Sequence, residues 1–390
     1  MSDAKVFRAT SGVKISVTLF LTFWLILAAF PLFWVLVMSF KLPVDAFSAN
    51  PFYVIFGPDT RSEAGGFSIL DLIIGIASFV LIYKVVSDHT RWLAERVSFG
   101  ITPLGWLVAA GIVLIAGFAY LAYVLPLLSS IVNGIFGFIP LLNLLAEPVL
   151  GITFQHYQAV WVENEFYRNF LNSLMITAGV VTISLTVGTL AGYALARTPT
   201  TVAFALLIAA LVFRALPHSV LVTGYLPVFV NSAEILAPIL GENAPTLYGQ
   251  PLAVIAVLVS INQPFTIWML RSFFQSIPQE LDEAARVDGC SHLEAFWRVI
   301  MPVMWPGVIT TGLFSFLLAY NDYLVTALLL DAQNQTMVPA ITQYFNRETT
   351  TTDQVEAIAA AVSITAPLFL LVMVFQRQIV SGLTAGAVKG

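Results

Sequence analysis

The charged residues that could do chemistry in this chain are concentrated between Ser276 and Pro302, a stretch we call the polar loop. Only 10% of all residues are charged, so the local density of Asp, Glu, Arg and His is unusual. The loop pairs no nucleophile with a general base, which argues against a hydrolytic site. Charged side chains at this density belong in water, and they suit a surface that contacts another protein.

Other catalytic and metal chemistry finds no support in the sequence. A phosphate-binding P-loop needs Lys followed by Ser or Thr, and none of the five lysines is followed by either. His89, His156, His218 and His292 are too scattered to have metal-ligand spacing. Cys290, the single cysteine, excludes an internal disulfide and is interpreted as a small filler residue. We therefore expect no enzyme activity, no metal and no cofactor bound by this chain.

The polar loop has the pattern of two helices joined by a glycine turn. Ser276 with Gln279, and Ser291 with Glu294, both have capping-box spacing, so a helix is predicted to begin after each serine. Gly289 follows the first predicted helix, where a residue without a side chain can adopt a positive φ.

Each predicted helix has a distinct face. In the first helix, Pro278 is expected in the first turn and Asp282 is expected to pair with Arg286 at i,i+4. Pro302 is expected to end the second helix. The faces consist of Leu281, Ala284, Ala285 and Asp288 in the first helix, and of Leu293, Phe296, Trp297 and Ile300 in the second. This amphipathic pair either docks on another protein or lies on lipid headgroups.

The elements around the polar loop are apolar enough to cross a membrane. Hydrophobic residues make up 58% of the chain and the mean hydropathy is +0.88. A helix needs about 20 mostly apolar residues to span a bilayer. The predicted fold class is therefore all-α integral membrane, with about eight transmembrane helices. The predicted spans are residues 15–40, 67–86, 103–128, 170–196, 201–230, 250–270, 306–330 and 357–376.

Positive charge predicts the orientation of these spans. The run 131–152, interrupted by residues such as Gly134 and Pro140, is assigned to an interfacial or re-entrant segment rather than a ninth span. With the N-terminus in the cytoplasm, the inner loops then carry twelve Lys and Arg residues and the outer loops four. Both termini and the polar loop are expected on the cytoplasmic side.

The polar loop resembles the coupling loop of ABC importer permeases. The sequence Glu283-Ala284-Ala285, then Gly289, then Val299-Ile300-Met301-Pro302 keeps the family spacing of Glu-Ala-Ala, three residues, Gly, nine residues, Ile, any residue, Leu-Pro. Val and Met are mild departures from Ile and Leu. In that family the loop fits a cleft on an ATPase subunit. The resemblance implies this role for Glu283, Ala284, Ala285, Asp288, Gly289 and Pro302.

Further motifs are similar to carbohydrate permeases, and in particular to the maltose-type second permease. These motifs are Phe170–Leu174, Gly192–Arg197, Tyr320–Tyr323 and the C-terminal Gly382–Gly390. Tyr320–Tyr323 corresponds to Trp-Asn-Glu-Phe in the family. The resemblance implies a six-helix core with two inserted helices. It divides the chain into a tail and first span (1–41), an inserted region with two extra spans and the interfacial segment (42–154), and a permease core (155–390). The core contains five spans, the polar loop and a tail (377–390).

The resemblance also implies a function and partners. The expected function is a permease subunit of an ATP-driven sugar importer in the bacterial cytoplasmic membrane, for a di- or oligosaccharide or an α-glucoside. Expected partners are a second permease, a homodimeric ATPase that binds ATP and Mg, a periplasmic or lipid-anchored sugar-binding protein, and membrane lipid, but no nucleic acid. The outer-loop residues Gln333, Asn334 and Gln335 either contact the binding protein or belong to a plain solvated loop. The alternative is a stand-alone secondary transporter, for which the spans offer no obvious repeat or paired carboxylates.

Five polar residues in the predicted spans are candidates for the translocation path: Arg214, Asn262, Gln263, Asn321 and Asp322. A charge at mid-span costs about 2.5–3.5 kcal/mol, so Arg214 either lines a water-filled cavity or packs between helices. The amides either bind sugar hydroxyls or hold helices together, and the structural role is favoured.

Overall fold

The computed structural model describes residues 11–96, 116–117, 119–139, 143–198, 200–214, 218–345 and 350–385. The chain divides into two compact units, Met1–His156 and Tyr157–Gly390. Residues 103–115 of the third predicted span and the last five residues of the predicted tail lie outside the described part.

The first unit begins with a long apolar helix, α1 (Ser11–Met38), none of whose side chains is buried. An apolar helix with exposed sides suits a lipid environment. The elements that follow are α2 (Pro43–Ala46), α3 (Pro51–Phe56), α4 (Pro58–Ala64), β1 (Gly66–Ser68), α5 (Ile69–Arg96), a π-helical turn (Tyr120–Val124), α6 (Leu125–Gly137), α7 (Asn143–Ala146), β2 (Pro148–Gly151) and, across the unit boundary, α8 (Gln155–Gln158).

A small antiparallel sheet, which the sequence did not predict, brings together β1 and β2, which lie on either side of α5 and α6 in the chain. β1 pairs with β2, and Gly66 lies opposite Gly151. The buried Lys41 ammonium group donates to the Gly151 carbonyl oxygen. Burial lowers the pKa of Lys41. Nearby, the buried Asp45 carboxylate accepts from the Thr60 N–H at 2.6 Å and from its hydroxyl at 2.7 Å.

Polar contacts also join α5 to α6. Asp71 accepts hydrogen bonds from the Ser129 hydroxyl and, at 2.7 Å, from the Asn133 amide. α6 continues through Gly134 to Gly137, so the prediction that this glycine interrupts the apolar run is wrong. A single glycine weakens a helix by only about 1 kcal/mol and does not have to end it. The remainder of the predicted interfacial segment contains α7 and β2.

The second unit is built on three helices that pack against one another: α9 (Phe166–Arg197), α13 (Pro251–Gln275) and α16 (Met301–Tyr320). Its other elements are a π-helical turn (Ala159–Glu163), α10 (Thr201–Arg214), α11 (His218–Val230), α12 (Ser232–Leu240), α14 (Glu280–Val287), α15 (His292–Ala295), a π-helical turn (Phe296–Ile300), α17 (Leu324–Leu329), α18 (Met337–Gln343) and α19 (Thr351–Ala385).

Among the described residues, five helices are long and apolar enough to cross a membrane. A sixth is added if Val220–Val230 and Ser232–Leu240, which meet at a bend of 49°, form one span. Shorter apolar helices occupy Ile69–Ile82, Leu125–Gly137 and Thr201–Val212. The all-α membrane class is confirmed, and the count of eight spans stays a prediction.

The predicted span 306–330 is wrong at its end. α16 stops at Tyr320, so Asn321 and Asp322 follow the helix instead of lying inside it. The Asn321 amide donates back to the Leu317 carbonyl oxygen at 3.1 Å, and the Asp322 carboxylate accepts from the Thr326 N–H at 3.0 Å. Short polar side chains that bond to nearby backbone in this way favour helix ends over helix interiors.

Candidate functional site

The polar loop forms two helical segments joined at Gly289. α14 ends at Val287, and Gly289 has a φ of +93°. The Ser291 hydroxyl accepts from the Glu294 N–H at 3.3 Å, and the Glu294 carboxylate accepts from the Ser291 N–H at 3.0 Å. The predicted glycine turn and the second capping box are therefore confirmed.

The first predicted capping box is wrong. α13 extends to Gln275, so Ser276 lies at the end of that helix and its hydroxyl donates to the Phe273 carbonyl oxygen at 2.6 Å. Gln279 precedes α14 without making a side-chain cap. Pro278 consequently lies ahead of α14 and not in its first turn.

Pro302 does not end the second helix, contrary to the prediction. α15 passes through the π-helical turn Phe296–Ile300 into α16, and Pro302 lies in the first turn of α16. The i→i+5 bonding of a π-helical turn suits a site where proline supplies no N–H. The polar loop is thus continuous with a core helix of the second unit.

Asp282 does not pair with Arg286. Its carboxylate lies 2.7 Å from the Arg197 guanidinium and accepts from the Tyr193 hydroxyl at 2.5 Å. Sequence reasoning missed both partners because they lie on another helix, and Tyr193 is 89 residues away. The only available signal was their i,i+4 spacing within Gly192–Arg197, which places both on one face of α9.

The predicted coupling residues differ in exposure. Ala285 is buried, whereas Glu283, Ala284, Asp288, Gly289 and Pro302 are exposed. The predicted apolar face of the second helix is divided: Phe296 and Ile300 are buried, whereas Leu293 and Trp297 are exposed. Val287 is 87% exposed. Large apolar side chains exposed among carboxylates suit a surface that a protein partner covers.

Two translocation-path candidates make contacts between helices. Asn262 is buried on α13, and its amide donates to the Ser315 hydroxyl of α16 at 2.7 Å. The Gln263 amide donates to the Ser184 carbonyl oxygen of α9 at 3.4 Å. These bonds suit the helix-holding role, and a role in the path stays a prediction.

Arg214 lies against an aromatic ring. Its guanidinium carbon is 4.6 Å from the centre of the Phe265 ring. Arg271 makes a matching contact with Phe204 at 5.1 Å, so two cation–π contacts join α10 to α13. The half-buried Arg214 therefore has a partner between helices, and its role in the path stays a prediction.

The outer-loop candidates make hydrogen bonds to neighbouring segments. The Asn172 amide donates to the Gln333 carbonyl oxygen at 3.2 Å, and the Asn169 amide donates to the Gln335 carbonyl oxygen at 2.9 Å. The Asn334 amide points inward and donates to the Gly249 carbonyl oxygen at 2.9 Å. Contact with a binding protein stays a prediction.

A cavity of about 210 Å³ lies beside this loop. It is lined by Asn164, Phe166, Asn169, Ala332, Gln335, Ala340, Gln343 and Tyr344. Glu165, between two lining residues, is the one non-glycine residue in the described part of the chain with a positive φ, at 50°. Sequence reasoning missed this cavity because its residues come from three separate segments. The described residues contain no group of three or more His, Cys, Asp or Glu that could hold a metal ion.

The fold and the polar loop define a polytopic helical membrane protein with a charged loop joined directly to its bundle. The family model "Binding-protein-dependent transport system inner membrane component" matches residues 184–384, about half of the chain. The chain belongs to this family, and it is a transmembrane permease subunit of an ABC importer, as predicted.

Two curated relatives and one solved structure illustrate the similarity. The chain is 34% identical over 241 residues to the diacetylchitobiose uptake system permease protein DasC of Streptomyces coelicolor, covering 61% of this chain and 82% of the relative. It is 32% identical over 240 residues to the trehalose transport system permease protein SugB of Mycobacterium tuberculosis, and the match covers 61% of this chain and 83% of that relative. A bacterial ABC transporter involved in alginate import is 19% identical, with a TM-score of 0.46 over 72% of this chain and 99% of that one.

Proposed function

We propose that this permease imports a di- or oligosaccharide and that its polar loop receives the force of ATP hydrolysis. The observation that carries the proposal is the exposed two-helix loop, turned at a positive-φ glycine and continuous with core helix α16. Its residues Glu283, Ala284 and Gly289 carry the coupling motif and are exposed for contact. The relatives named for diacetylchitobiose and trehalose support a sugar as cargo.

The proposal assigns the chemistry to partners. A homodimeric ATPase subunit binds ATP and Mg at the cytoplasmic side, while this chain binds no cofactor and catalyses no reaction. A second permease completes the pathway, and a periplasmic or lipid-anchored protein delivers the sugar. The predicted inner loops carry twelve Lys and Arg residues and the predicted outer loops carry four. This excess supports cytoplasmic termini and a bacterial inner-membrane location.

The cavity beside the outer loop supports a sugar over an apolar cargo. Asn164, Asn169, Gln335 and Gln343 carry amides, which can both donate to and accept from hydroxyl groups. At about 210 Å³ the cavity has room for part of an oligosaccharide and not for all of it. The extra length at 42–154 favours an α-glucoside through its resemblance to some α-glucoside permeases.

Reconstitution tests the proposal. The chain is purified in mild detergent, and the proteins that accompany it are identified and placed with it in proteoliposomes. Trehalose, maltose and diacetylchitobiose are offered with ATP, and ATP-dependent accumulation of at least one is expected. Gly289→Asp should insert normally and hydrolyse ATP without import. Accumulation driven by an ion gradient without ATP would favour the secondary transporter instead.

A further inference from the structure

One carboxylate joins the polar loop to the end of α9. Asp282 of α14 lies 2.7 Å from Arg197 and accepts from the Tyr193 hydroxyl at 2.5 Å. The Arg197 and Asp282 side chains are only 13% and 15% exposed. By contrast, the Arg298–Glu294 pair in the same loop is 3.4 Å apart and 71% and 44% exposed. Ion pairs that are sheltered from water are screened less by solvent and salt than exposed ones.

Arg197 also reaches the end of a second core helix. Its Nη1 donates to the carbonyl oxygens of Phe274 and Ile277 at 3.3 and 3.2 Å. The Phe274 carbonyl lies in the last turn of α13, and Ile277 follows two residues after the end of that helix. One guanidinium group therefore connects α9, α13 and α14.

Tyr193 brings in the second helix of the polar loop. Its ring centre lies 4.8 Å from that of Phe296, which opens the π-helical turn, and 5.4 Å from that of Phe274. Tyr193 thus contacts both helical segments of the loop, the first through its hydroxyl and the second through its ring.

The helices that receive these contacts pack closely against each other. A Cβ atom on Gly188 would lie 2.6 Å from the Thr266 side chain, and one on Gly192 would lie 3.1 Å from the Leu270 side chain. Such small residues let α9 and α13 approach closely, as is typical of tightly packed membrane helices. Such close packing makes it unfavourable for α9 to shift without α13.

We propose that Tyr193, Arg197 and Asp282, here called the Asp282 cluster, are positioning residues that transmit movement of the polar loop to the α9–α13 pair. This inference rests on the proposed role of the loop in ATP coupling. It identifies the residues through which movement of the loop reaches the helix bundle. Without the cluster, the loop would still bind the ATPase but would move independently of α9.

A nitroxide attached to Cys290, the single cysteine, tests the cluster without any partner. Electron paramagnetic resonance of the purified chain in nanodiscs should show greater label mobility in Asp282→Asn and Tyr193→Phe. Glu280→Gln, an exposed acid on the same helix, is the matched control and should leave mobility unchanged. Tyr193→Phe removes only a hydroxyl, so it keeps the test valid if Asp282→Asn fails to fold.

The same variants are then compared in the reconstituted importer. ATP hydrolysed per sugar imported should rise about tenfold in Asp282→Asn, which removes the negative charge facing Arg197. Combining Asp282→Asn with Tyr193→Phe should change this ratio by less than the sum of the two single effects, because both substitutions weaken contacts of the same Asp282 carboxylate. Unchanged label mobility together with an unchanged ATP-to-sugar ratio would overturn the inference. Greater label mobility in a chain that no ATPase binds would instead support the cluster and count against ATP coupling.

Discussion

Replacing Gly289 by alanine should weaken coupling through backbone strain alone. At a φ of +93° an L-residue is strained, which costs about 1–2 kcal/mol. No atom lies within 4 Å of an added Cβ, so there is no steric clash to add. If the loop must keep this turn to fit the ATPase, the competent conformation should become about 5- to 30-fold less populated. Insertion and helix packing should be unaffected, because the change lies in an exposed turn.

Gly241→Ala provides the matched control. Gly241 has a φ of +83°, also has no atom within 4 Å of an added Cβ, and ends α12 rather than α14. Both variants are reconstituted, and ATP hydrolysis and sugar uptake are measured in the same vesicles. Gly289→Ala should lower sugar imported per ATP, whereas Gly241→Ala should match the unmodified chain. Equal behaviour of the two variants would refute the idea that the geometry of this turn matters for coupling.

Three further experiments test other parts of the structure. Arg214→Ala should lower uptake, and Phe265→Leu, which removes the ring beneath the guanidinium, should lower it similarly; unchanged uptake at normal expression would contradict this. Asn262→Leu should destabilise the chain by about 0.6–1.7 kcal/mol in a thermal-unfolding assay, while the exposed Asn321→Ala should not; equal melting temperatures would exclude the α13–α16 bond as a stabilising contact. Lys41→Met leaves the Gly151 carbonyl oxygen without its donor, which costs about 1–3 kcal/mol, and it should speed proteolysis between residues 42 and 154. The control, Lys14→Met at an exposed position, should be cleaved at the original rate. Equal cleavage rates for the two variants would contradict the Lys41–Gly151 contact.

Features set by neighbouring residues could be predicted from the sequence. The Ser291–Glu294 capping box and the Gly289 turn depend on residues within one helical turn, so spacing was enough to identify them. The membrane class followed from apolar length. The coupling motif was recognisable because its residue types lie close together in the chain.

Features set by distant partners could not be predicted. Nothing in the local pattern around Asp282 favours Arg197 over Arg286, since either pairing satisfies the carboxylate. The small sheet joins strands that neither alternation nor length distinguishes from loop. Considered alone, Pro302 predicts the end of a helix. Only the π-helical turn before it explains why the helix continues.

Coupling to a cytoplasmic ATPase requires the polar loop to lie on the cytoplasmic side, and Cys290 can measure this. As the single cysteine, Cys290 gives a membrane-impermeant maleimide one site to label. A cytoplasmic polar loop should be labelled in inside-out vesicles, should not be labelled in intact cells, and should be protected when the ATPase subunit is bound. Labelling of intact cells from outside would place the loop on the periplasmic face and rule out its contact with the ATPase.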